Sequence, residues 1–226
     1  MKTELVIAAY DSYLDWTEEI SKDVKVTVYR KGDEPNQLED EIRIEPNLGR
    51  CVHTFFNHIY TNYDSLSDYT FFAQDYPFDH WENIIEVINS QDPEVYEKNA
   101  QLKIGGYYGY HFNTITIPSP RGGCMWNLSP SKQHGNGKVL ACNSDGSPQD
   151  TNPLINVDKY WNMFFSSEKP KQYEFMPGGH FGITRDHARL RSKSFYKSII
   201  DLLLQETQSP WIVERLECYI FNPEIK

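Results

Sequence analysis

The most informative stretch of the chain is Tyr69-Thr70-Phe71-Phe72-Ala73-Gln74-Asp75-Tyr76-Pro77-Phe78-Asp79-His80. Its first half is an apolar, aromatic run that predicts a buried β-strand. Two carboxylates and an imidazole follow that run. In an open α/β sheet, ligands bind outside the carboxyl ends of the strands. We therefore expect Asp75, Asp79 and His80 to lie where a cation and an anionic ligand could meet.

The composition is that of one globular domain spanning residues 1–226. Of these 226 residues, 39% are hydrophobic and 24% are charged, and no linker-like segment divides them. The net charge is −10 and no Lys/Arg stripe is present, so nucleic-acid binding through phosphates is disfavoured. The apolar run 5–9 is too short for a signal peptide or a membrane span, and a cytoplasmic location is expected.

The cysteines indicate neither a metal site nor a redox motif. They are widely separated and form no C-x-x-C pair: Cys51, Cys124, Cys142 and Cys218. Free thiols in a reducing compartment are the expected state. The aromatic fraction of 14% fits an aromatic core and, for a minority of the rings, a cleft that accepts sugars or bases.

The N-terminal half follows a β-α-β-loop-α-β order. Continuous apolar residues over 5–10 predict a strand buried on both faces, and the alternating run 24–29 predicts a second strand. A short helix is expected over 13–20 and another over 81–90. The helix before Tyr69 has one buried face, whose members recur at helical spacing: Val52, Phe55, Phe56, Ile59, Tyr60 and Tyr63. This order predicts the beginning of a doubly wound sheet.

The C-terminal half is less regular. Residues 105–110 fit a strand or a loop. Residues 113–153 are dominated by Pro, Gly, Ser and Asn and predict a long irregular insert, with a short hairpin around 138–142. A helix is predicted over 157–165 and an extended segment, broken by glycines, over 175–184. Two last helices are predicted over 194–205 and 211–219.

The acids after the central strand form the first candidate site. Two carboxylates near a strand end can bind a hard divalent cation through oxygen, and His80 makes Mn²⁺ as plausible as Mg²⁺. Such a cation would screen a diphosphate, because an acidic protein needs a bound cation or a local Arg to accept an anionic ligand. The alternative for Asp79 is a helix N-cap, and the alternative for Asp75 is hydrogen bonding to backbone amides of the turn.

Two further candidates lie nearer the N-terminus. Asp11 follows the first strand with Tyr10 and can accept hydrogen bonds from a ribose or a base, with a plain surface Asp as the alternative. No glycine fingerprint follows, so a Rossmann dinucleotide site is not supported. The segment Asn47-Leu48-Gly49-Arg50 precedes a helix, whose first amides can face an anion while Arg50 clamps it. A plain loop-to-helix junction needs the same glycine.

Two more candidates lie in the C-terminal half. In Pro177-Gly178-Gly179-His180-Phe181, paired glycines permit close approach of a ligand to the backbone, and His180 could bind a metal or a substrate hydroxyl. The alternative is a bulge with a half-buried histidine. Glu214 interrupts an apolar helix, and a carboxylate that reaches a cleft could act as a general base. A surface Glu paired with Arg215 or Arg185 is the alternative.

Several of these stretches, in order along most of the chain, resemble a family of uncharacterised, glycosyltransferase-like proteins that carries a domain-of-unknown-function label. The matching blocks are Val6-Ile7-Ala8-Ala9-Tyr10, Val28-Tyr29-Arg30-Lys31-Gly32-Asp33, Pro46-Asn47-Leu48-Gly49-Arg50 with His53-Thr54, Phe72-Ala73-Gln74-Asp75-Tyr76-Pro77-Phe78-Asp79-His80, Pro177-Gly178-Gly179-His180-Phe181, and Pro210-Trp211 with Glu214-Arg215.

The resemblance implies a single-domain GT-A-like α/β fold, which is a mixed sheet flanked by helices. It also implies transfer of a sugar from a nucleotide-sugar donor to a glycan or protein acceptor. GT-A enzymes commonly place an Asp-x-Asp motif after a central strand, to hold Mn²⁺ or Mg²⁺ on the donor diphosphate. Here three residues separate Asp75 from Asp79. The implied metal ligands are Asp75, Asp79 and His80.

The remaining implied roles concern the donor, the acceptor and the chemistry. The implied donor contacts are Ala8, Tyr10, Asp11, Lys31, Arg50 and Gln74. The implied acceptor contacts are Gly178, Gly179, His180 and Trp211. The implied catalytic residues are Glu214, Asp75 and His180, with Glu214 as base or acceptor anchor. Two other functions stay open: a non-catalytic carbohydrate-binding or assembly protein of this fold, and a metal-dependent phosphoester hydrolase.

Overall fold

A computed structural model describes residues 1–10, 12–44, 47–111, 115–118, 157–176, 178–206 and 208–226. The predicted hairpin around 138–142 and the candidate residue Asp11 lie outside the described residues. So do Cys124 and Cys142, whereas Cys51 and Cys218 are free thiols, as expected. Among the described helices, none combines the length and the apolar character that crossing a membrane requires.

The described strands form one large mixed sheet and one small sheet. Their bounds in chain order are β1 (Thr3–Ala9), β2 (Lys25–Arg30), β3 (Ile42–Arg43), β4 (Tyr69–Gln74), β5 (Leu102–Ile104), β6 (Tyr107–Gly109), β7 (Ile115–Pro118), β8 (Gln172–Phe175) and β9 (Phe181–Thr184). The large sheet has seven strands in the order β3-β2-β1-β4-β9-β6-β5. Strands β7 and β8 pair with each other in the small antiparallel sheet.

Helices cover the large sheet. Their bounds are α1 (Arg50–Thr61), α2 (Ile84–Ser90), α3 (Pro93–Asn99), α4 (Val157–Phe164), α5 (Arg185–Ala188), α6 (Lys193–Gln205) and α7 (Ser209–Ile220). A short 3-10 helix over Asp15–Glu19 lies between β1 and β2. Helices α5 and α6 begin with the side-chain caps Thr184 and Ser192, which accept hydrogen bonds from backbone amides of the first turn.

Strands β1 and β4 form the centre of the sheet. Strand β1 is parallel to β2 on one side and to β4 on the other, so the strand order reverses between β1 and β4. Such a reversal, a topological switch point, is where open α/β sheets bind ligands beyond the carboxyl ends of the strands. Strand β9 runs antiparallel to β4 and therefore begins at that same edge, which brings the segment 178–180 to it.

The two faces of the sheet belong to two apolar cores. Along β1, Val6 and Ala8 face the core formed with α1, α4, α6 and α7, whereas Leu5, Ile7 and Ala9 face the core formed with α2 and α3. All seven residues of β1 are buried, as the continuous apolar run predicts for a strand covered on both faces. The aromatic residues fill both cores, which confirms the expectation of an aromatic interior.

A buried ion pair holds the excursion from β2 to β3 against the sheet. The guanidinium of Arg30 donates two hydrogen bonds to the carboxylate of Glu41, and both side chains are 0% exposed. Arg30 also donates to the backbone oxygen of Tyr10, 3.1 Å away, at the end of β1. The pair therefore fixes the loop 31–41 and the carboxyl end of β1 together.

The structure differs from the sequence-based expectations at several boundaries. The helix expected over 13–20 is a 3-10 helix over Asp15–Glu19, and the helix expected over 81–90 begins only at Ile84. Its N-cap residue is Asn83, so the alternative reading of Asp79 as that helix's cap is wrong. Part of the expected irregular insert 113–153 is strand β7, because its β-branched residues pair with β8. Residues 102–109 form a hairpin of two strands.

The Arg30–Glu41 pair should dominate the stability of the part of the sheet formed by β2, β3 and the loop between them. We expect Glu41→Gln to lower the free energy of unfolding by about 3–5 kcal/mol, because it leaves a buried guanidinium uncompensated. Urea unfolding followed by circular dichroism measures the loss. The matched control is Glu39→Gln, an exposed acid two residues away, which should change stability by less than about 0.5 kcal/mol. Equal effects of the two substitutions would contradict the assignment.

Candidate functional site

The carboxyl edge of β1 and β4 brings several predicted residues together. The loops after both strands, the start of β9, the first turn of α1 and the middle of α7 meet there. The predicted site residues at this edge are Tyr10, Arg50, Gln74, Asp75, Gly178, His180, Trp211 and Glu214. Ala8 does not join them, because it lies within β1 and its side chain faces the α1 core.

Asp75 ties the two central strands together. Its Oδ2 accepts hydrogen bonds from the backbone amides of Tyr10 at 2.9 Å and Ser12 at 3.0 Å. Its Oδ1 accepts from the amide of Tyr76 at 3.2 Å, and its backbone oxygen accepts from the indole of Trp16 at 2.8 Å. The backbone-bonding alternative is therefore realised, and it extends beyond the local turn to the loop after β1.

The predicted metal ligands do not converge. The side chain of Asp79 is 57% exposed and its Oδ2 lies 3.6 Å from Nε2 of His80, while the Asp75 carboxylate is directed at backbone amides. Within the described part of the chain, no three His, Cys, Asp or Glu side chains are arranged to hold a metal ion. A divalent cation thus does not fit these residues as they lie.

Gly178 connects β4 to α7 through both of its backbone polar groups. Its amide donates to Oε1 of Glu214 at 2.8 Å, and its carbonyl accepts from Nε2 of Gln74 at 2.6 Å. We call this pair of bonds the Gly178 bridge. Gly178 and Gly179 both have left-handed backbone angles, φ 92° and 65°. A Cβ at Gly178 would lie 2.9 Å from the His80 ring, so the bridge requires glycine.

Glu214 is a largely buried carboxylate with a charged neighbour. Its side chain is 16% exposed, and its Oε2 lies 3.7 Å from Nη1 of Arg215. Burial raises the pKa of Glu214, while Arg215 and the Gly178 amide oppose that rise. The surface alternative for Glu214 is therefore wrong, although the pairing with Arg215 is present. Arg185 pairs with Asp68 instead.

Arg50 and the start of α1 supply positive potential near Glu214. Gly49 and Arg50 are both left-handed, with φ 70° and 54°, and among the described residues no side chain caps the first turn. The Arg50 guanidinium lies 5.2 Å from the centre of the Trp211 ring, and its charge acts on Glu214. A non-glycine residue in this conformation is uncommon and is often found at functional sites.

Lys31 supports the loop before α1. Its Nζ donates to the backbone oxygens of Leu48 at 2.6 Å and Arg50 at 2.8 Å, and the residue is only 4% exposed. The ring of His53, whose Nδ1 lies 3.2 Å from Nζ of Lys31, is buried beside it. Lys31 therefore positions the segment 48–50, a different task from the direct donor contact that the resemblance implies.

Three imidazoles pack together beside the glycines. The ring of His80 lies 4.9 Å from that of His111 and 5.5 Å from that of His180, centre to centre. His180 is 0% exposed, and neither of its ring nitrogens has a hydrogen-bond partner among the described residues. Burial, together with the charges of His80 and His111, lowers the pKa of His180 to about 3. The ring is thus neutral and fully buried, so the predicted alternative of a half-buried histidine is wrong.

Sequence reasoning missed three residues at this edge. His111 follows a region of weak periodicity, so nothing in the sequence linked it to His80. Cys51 lies in the first turn of α1 near the glycines, but burial raises the pKa of its thiol to about 12, which makes it a poor nucleophile. Glu217 follows Glu214 by three residues, and helical spacing alone could have found it.

A separate hollow of about 190 Å³, lined by residues 38–41 among others, contains none of the candidate residues.

Asp75 and Asp79 should differ sharply in their effect on stability. We expect Asp75→Ala to lower the free energy of unfolding by about 1–3 kcal/mol, because three backbone amides lose their acceptor. Asp79→Ala, at an exposed position nearby, should change it by less than about 0.5 kcal/mol. Thermal and urea unfolding measure both. A neutral Asp75→Ala would show that the amide contacts do not hold the edge together.

His180 should make the protein sensitive to acid. Its pKa in the folded state lies below the unfolded value of 6.5, so its contribution to stability is present above pH 6.5 and is lost towards pH 3. His180→Gln should flatten this decline by up to about 1.4 kcal/mol per pH unit. Urea unfolding at several pH values measures the slope. The half-buried His187 is the matched control, for which a smaller change is expected; an unchanged slope in His180→Gln would contradict a neutral His180.

Comparisons with known proteins bear on the family of the chain. Neither the search of curated proteins nor the search of solved structures found a match. A family model does match, and its description states no function, so sugar transfer stays a prediction. Because that model covers residues 5–224, nearly the whole chain, the chain belongs to the family described as Protein of unknown function (DUF3431).

Proposed function

We propose that this chain is a glycosyltransferase that moves a sugar from a nucleotide-sugar donor to a hydroxyl group of a glycan or protein acceptor. The observation that carries the proposal is the Gly178 bridge. It joins a largely buried carboxylate, Glu214, to the end of β4 at the topological switch point of the sheet. A candidate base, a positively charged helix start and a backbone segment with two glycines thus lie at the same edge of the sheet.

The architecture of the mixed sheet supports the proposal of a GT-A-like fold. GT-A enzymes carry their acidic motif after a central strand, and here Asp75 follows β4, which pairs with β1 at the centre of the sheet. The loop after β1, which the resemblance assigns to the nucleotide, is held by Asp75 through the amides of Tyr10 and Ser12. Asp75 therefore acts in the proposal by shaping the donor site.

The donor diphosphate would lie at the start of α1. Backbone amides of a first helical turn bind anions, and the helix dipole adds to that attraction. Arg50 begins this turn, and its guanidinium can bind phosphate oxygens in a bidentate way. Charge preorganised in this way stabilises a departing diphosphate without a rearrangement at the moment of reaction. The Lys31 ammonium, bonded to the carbonyls of Leu48 and Arg50, keeps the turn in place.

Glu214 would act as the general base. The acceptor hydroxyl gives its proton to the Glu214 carboxylate while its oxygen forms a bond to the anomeric carbon. The bond from that carbon to the diphosphate oxygen breaks, and its electron pair leaves with the diphosphate. A pKa raised by burial makes the carboxylate a better base near neutral pH, and the Gly178 amide fixes its orientation.

The cation expected at Asp75, Asp79 and His80 is not required by the proposed reaction. The described residues do not fit it as they lie, so the proposed reaction assigns no step to a metal. Its role when bound would be to neutralise charge on the diphosphate. Adding and chelating Mn²⁺ during donor titrations tests whether donor binding depends on a cation.

A non-catalytic carbohydrate-binding protein is the second candidate. The engagement of both Asp75 oxygens by backbone amides favours it, because the acid after the central strand then has a structural task. This candidate predicts sugar binding through aromatic rings such as Trp211, without affinity for nucleotides. Donor binding therefore separates the two functions.

Arg50 should control donor affinity. We expect nucleoside diphosphates to bind in calorimetric titrations, with Arg50→Ala weakening the affinity at least about tenfold, because a charge-assisted contact is lost. Arg189→Ala is the matched control, since Arg189 follows β9 and lies at the opposite edge of the sheet. No binding of any nucleoside diphosphate, with or without Mn²⁺, would sink the proposal.

Glu214 should separate binding from chemistry. With the nucleotide sugar that binds best, Glu214→Gln should keep donor affinity and lower the transfer rate about 10²–10⁴-fold, because the base is removed. The exposed Glu168→Gln serves as control. Release of free phosphate in place of transferred or hydrolysed sugar would instead identify a phosphoester hydrolase.

A further inference from the structure

Glu217 is a buried acid that the proposed chemistry does not use. Its residue exposure is 1%, and neither carboxylate oxygen has a hydrogen-bond partner among the described residues. Leaving a buried polar group unsatisfied costs about 1–3 kcal/mol, and more when the group is charged. Native proteins contain few such groups, so this one calls for a physical explanation.

The position of Glu217 relates it to Glu214. Residues three apart on a helix are neighbours on one face, so the two carboxyl groups of α7 lie one turn apart. Glu214 has a backbone donor in Gly178 and a cationic neighbour in Arg215. Glu217 has neither contact among the described residues. The two acids thus differ in what stabilises their negative charge.

The titratable groups close enough to interact electrostatically with Glu217 come from three elements. They are Glu214 and Cys218 on α7, Cys51 on α1 and Tyr107 on β6. Burial, the largest cause in each case, raises the pKa of both thiols and of the phenol, so all three remain protonated at neutral pH. None of these three groups can compensate a negative charge on Glu217. Arg50 adds positive charge near Glu214 and Cys51.

We propose that Glu217 is a positioning residue that keeps its proton and thereby confines the negative charge of the pair to Glu214. Two carboxylates that share a poorly solvated site cannot both ionise at low cost, so the pair releases its protons in two separate steps. The first comes from Glu214, where the Gly178 amide and Arg215 stabilise the anion. Burial and the Glu214 charge then raise the pKa of Glu217 well above its ordinary value.

In the proposed reaction, this proton distribution makes Glu214 the base. With Glu217 neutral, Glu214 is ionised and ready to accept the hydroxyl proton, and the first turn of α1 faces a single buried negative charge. At alkaline pH, ionised Glu217 would add a second charge behind Glu214 and oppose the binding of a diphosphate. This consequence rests on the proposed function, whereas the proton distribution itself does not.

The decisive measurement is the titration of the side-chain carboxyl carbons of ¹³C-glutamate-labelled protein by NMR. In the wild type we expect one glutamate to stay protonated at pH 7, and Glu217→Gln should remove that step. Glu214→Gln should lower the pKa of the remaining buried acid by at least about one pH unit, since the neighbouring charge is gone. Full ionisation of Glu217 at pH 7, or no response to Glu214→Gln, would overturn the proposal.

Stability offers a readout that needs no ligand. A folded pKa above the unfolded value of 4.5 means that Glu217 costs progressively more stability as the pH rises above 4.5. Glu217→Gln should therefore gain stability relative to the wild type between pH 4.5 and 8, while the exposed Glu168→Gln should not. Glu217→Met, of similar volume, provides a second variant if the amide folds poorly. A difference that does not grow with pH would contradict a protonated Glu217.

The functional consequence is tested by titrating a nucleoside diphosphate at several pH values. Wild-type affinity should fall at alkaline pH, and Glu217→Gln should keep its affinity there. If no nucleotide binds at any pH, the proposed function fails, while the carboxyl titration still decides the protonation of Glu217. If nucleotides bind and the two proteins lose affinity alike, the positioning role is overturned.

Discussion

The Gly178 bridge is the contact on which the candidate site depends. Strand β9 runs opposite to β4, so its first residues arrive where β4 ends, and left-handed glycines let the backbone turn there. One peptide then satisfies Gln74 on one side and Glu214 on the other. This contact fixes the orientation of the Glu214 carboxylate relative to the end of β4, within a core that already packs α7 against the sheet.

The distribution of charge is compatible with the proposed anion site in a chain of net charge −10. Many of its acids are exposed, or are bound to buried cations as Glu41 is bound to Arg30. At the carboxyl edge, Arg50 and the first turn of α1 face a carboxyl pair. On the proposed proton distribution, only one member of that pair is charged. In the proposed function, local preorganisation would outweigh the net charge of the molecule.

The sequence predicted the framework well wherever burial imposes a period. Strands β1 and β4 and helices α1, α4, α6 and α7 lie close to where their apolar patterns indicated. The prediction failed for shorter elements. A four-residue strand such as β7 or a single 3-10 turn has too few residues to show a hydrophobic period. Asp75 lies after β4 as predicted, but the sequence left open whether its carboxylate binds a cation or backbone amides.

By itself, the sequence determined a two-sided central sheet, the helices that cover it and the presence of acids, an arginine and paired glycines at strand and helix ends. These features depend on neighbours within one or two turns of the chain. Only the tertiary structure decided which of them meet. Gln74 and Gly178 are 104 residues apart, and Gly178 and Glu214 are 36 apart. No local periodicity specifies a hydrogen bond across such separations, because it arises from strand order and direction.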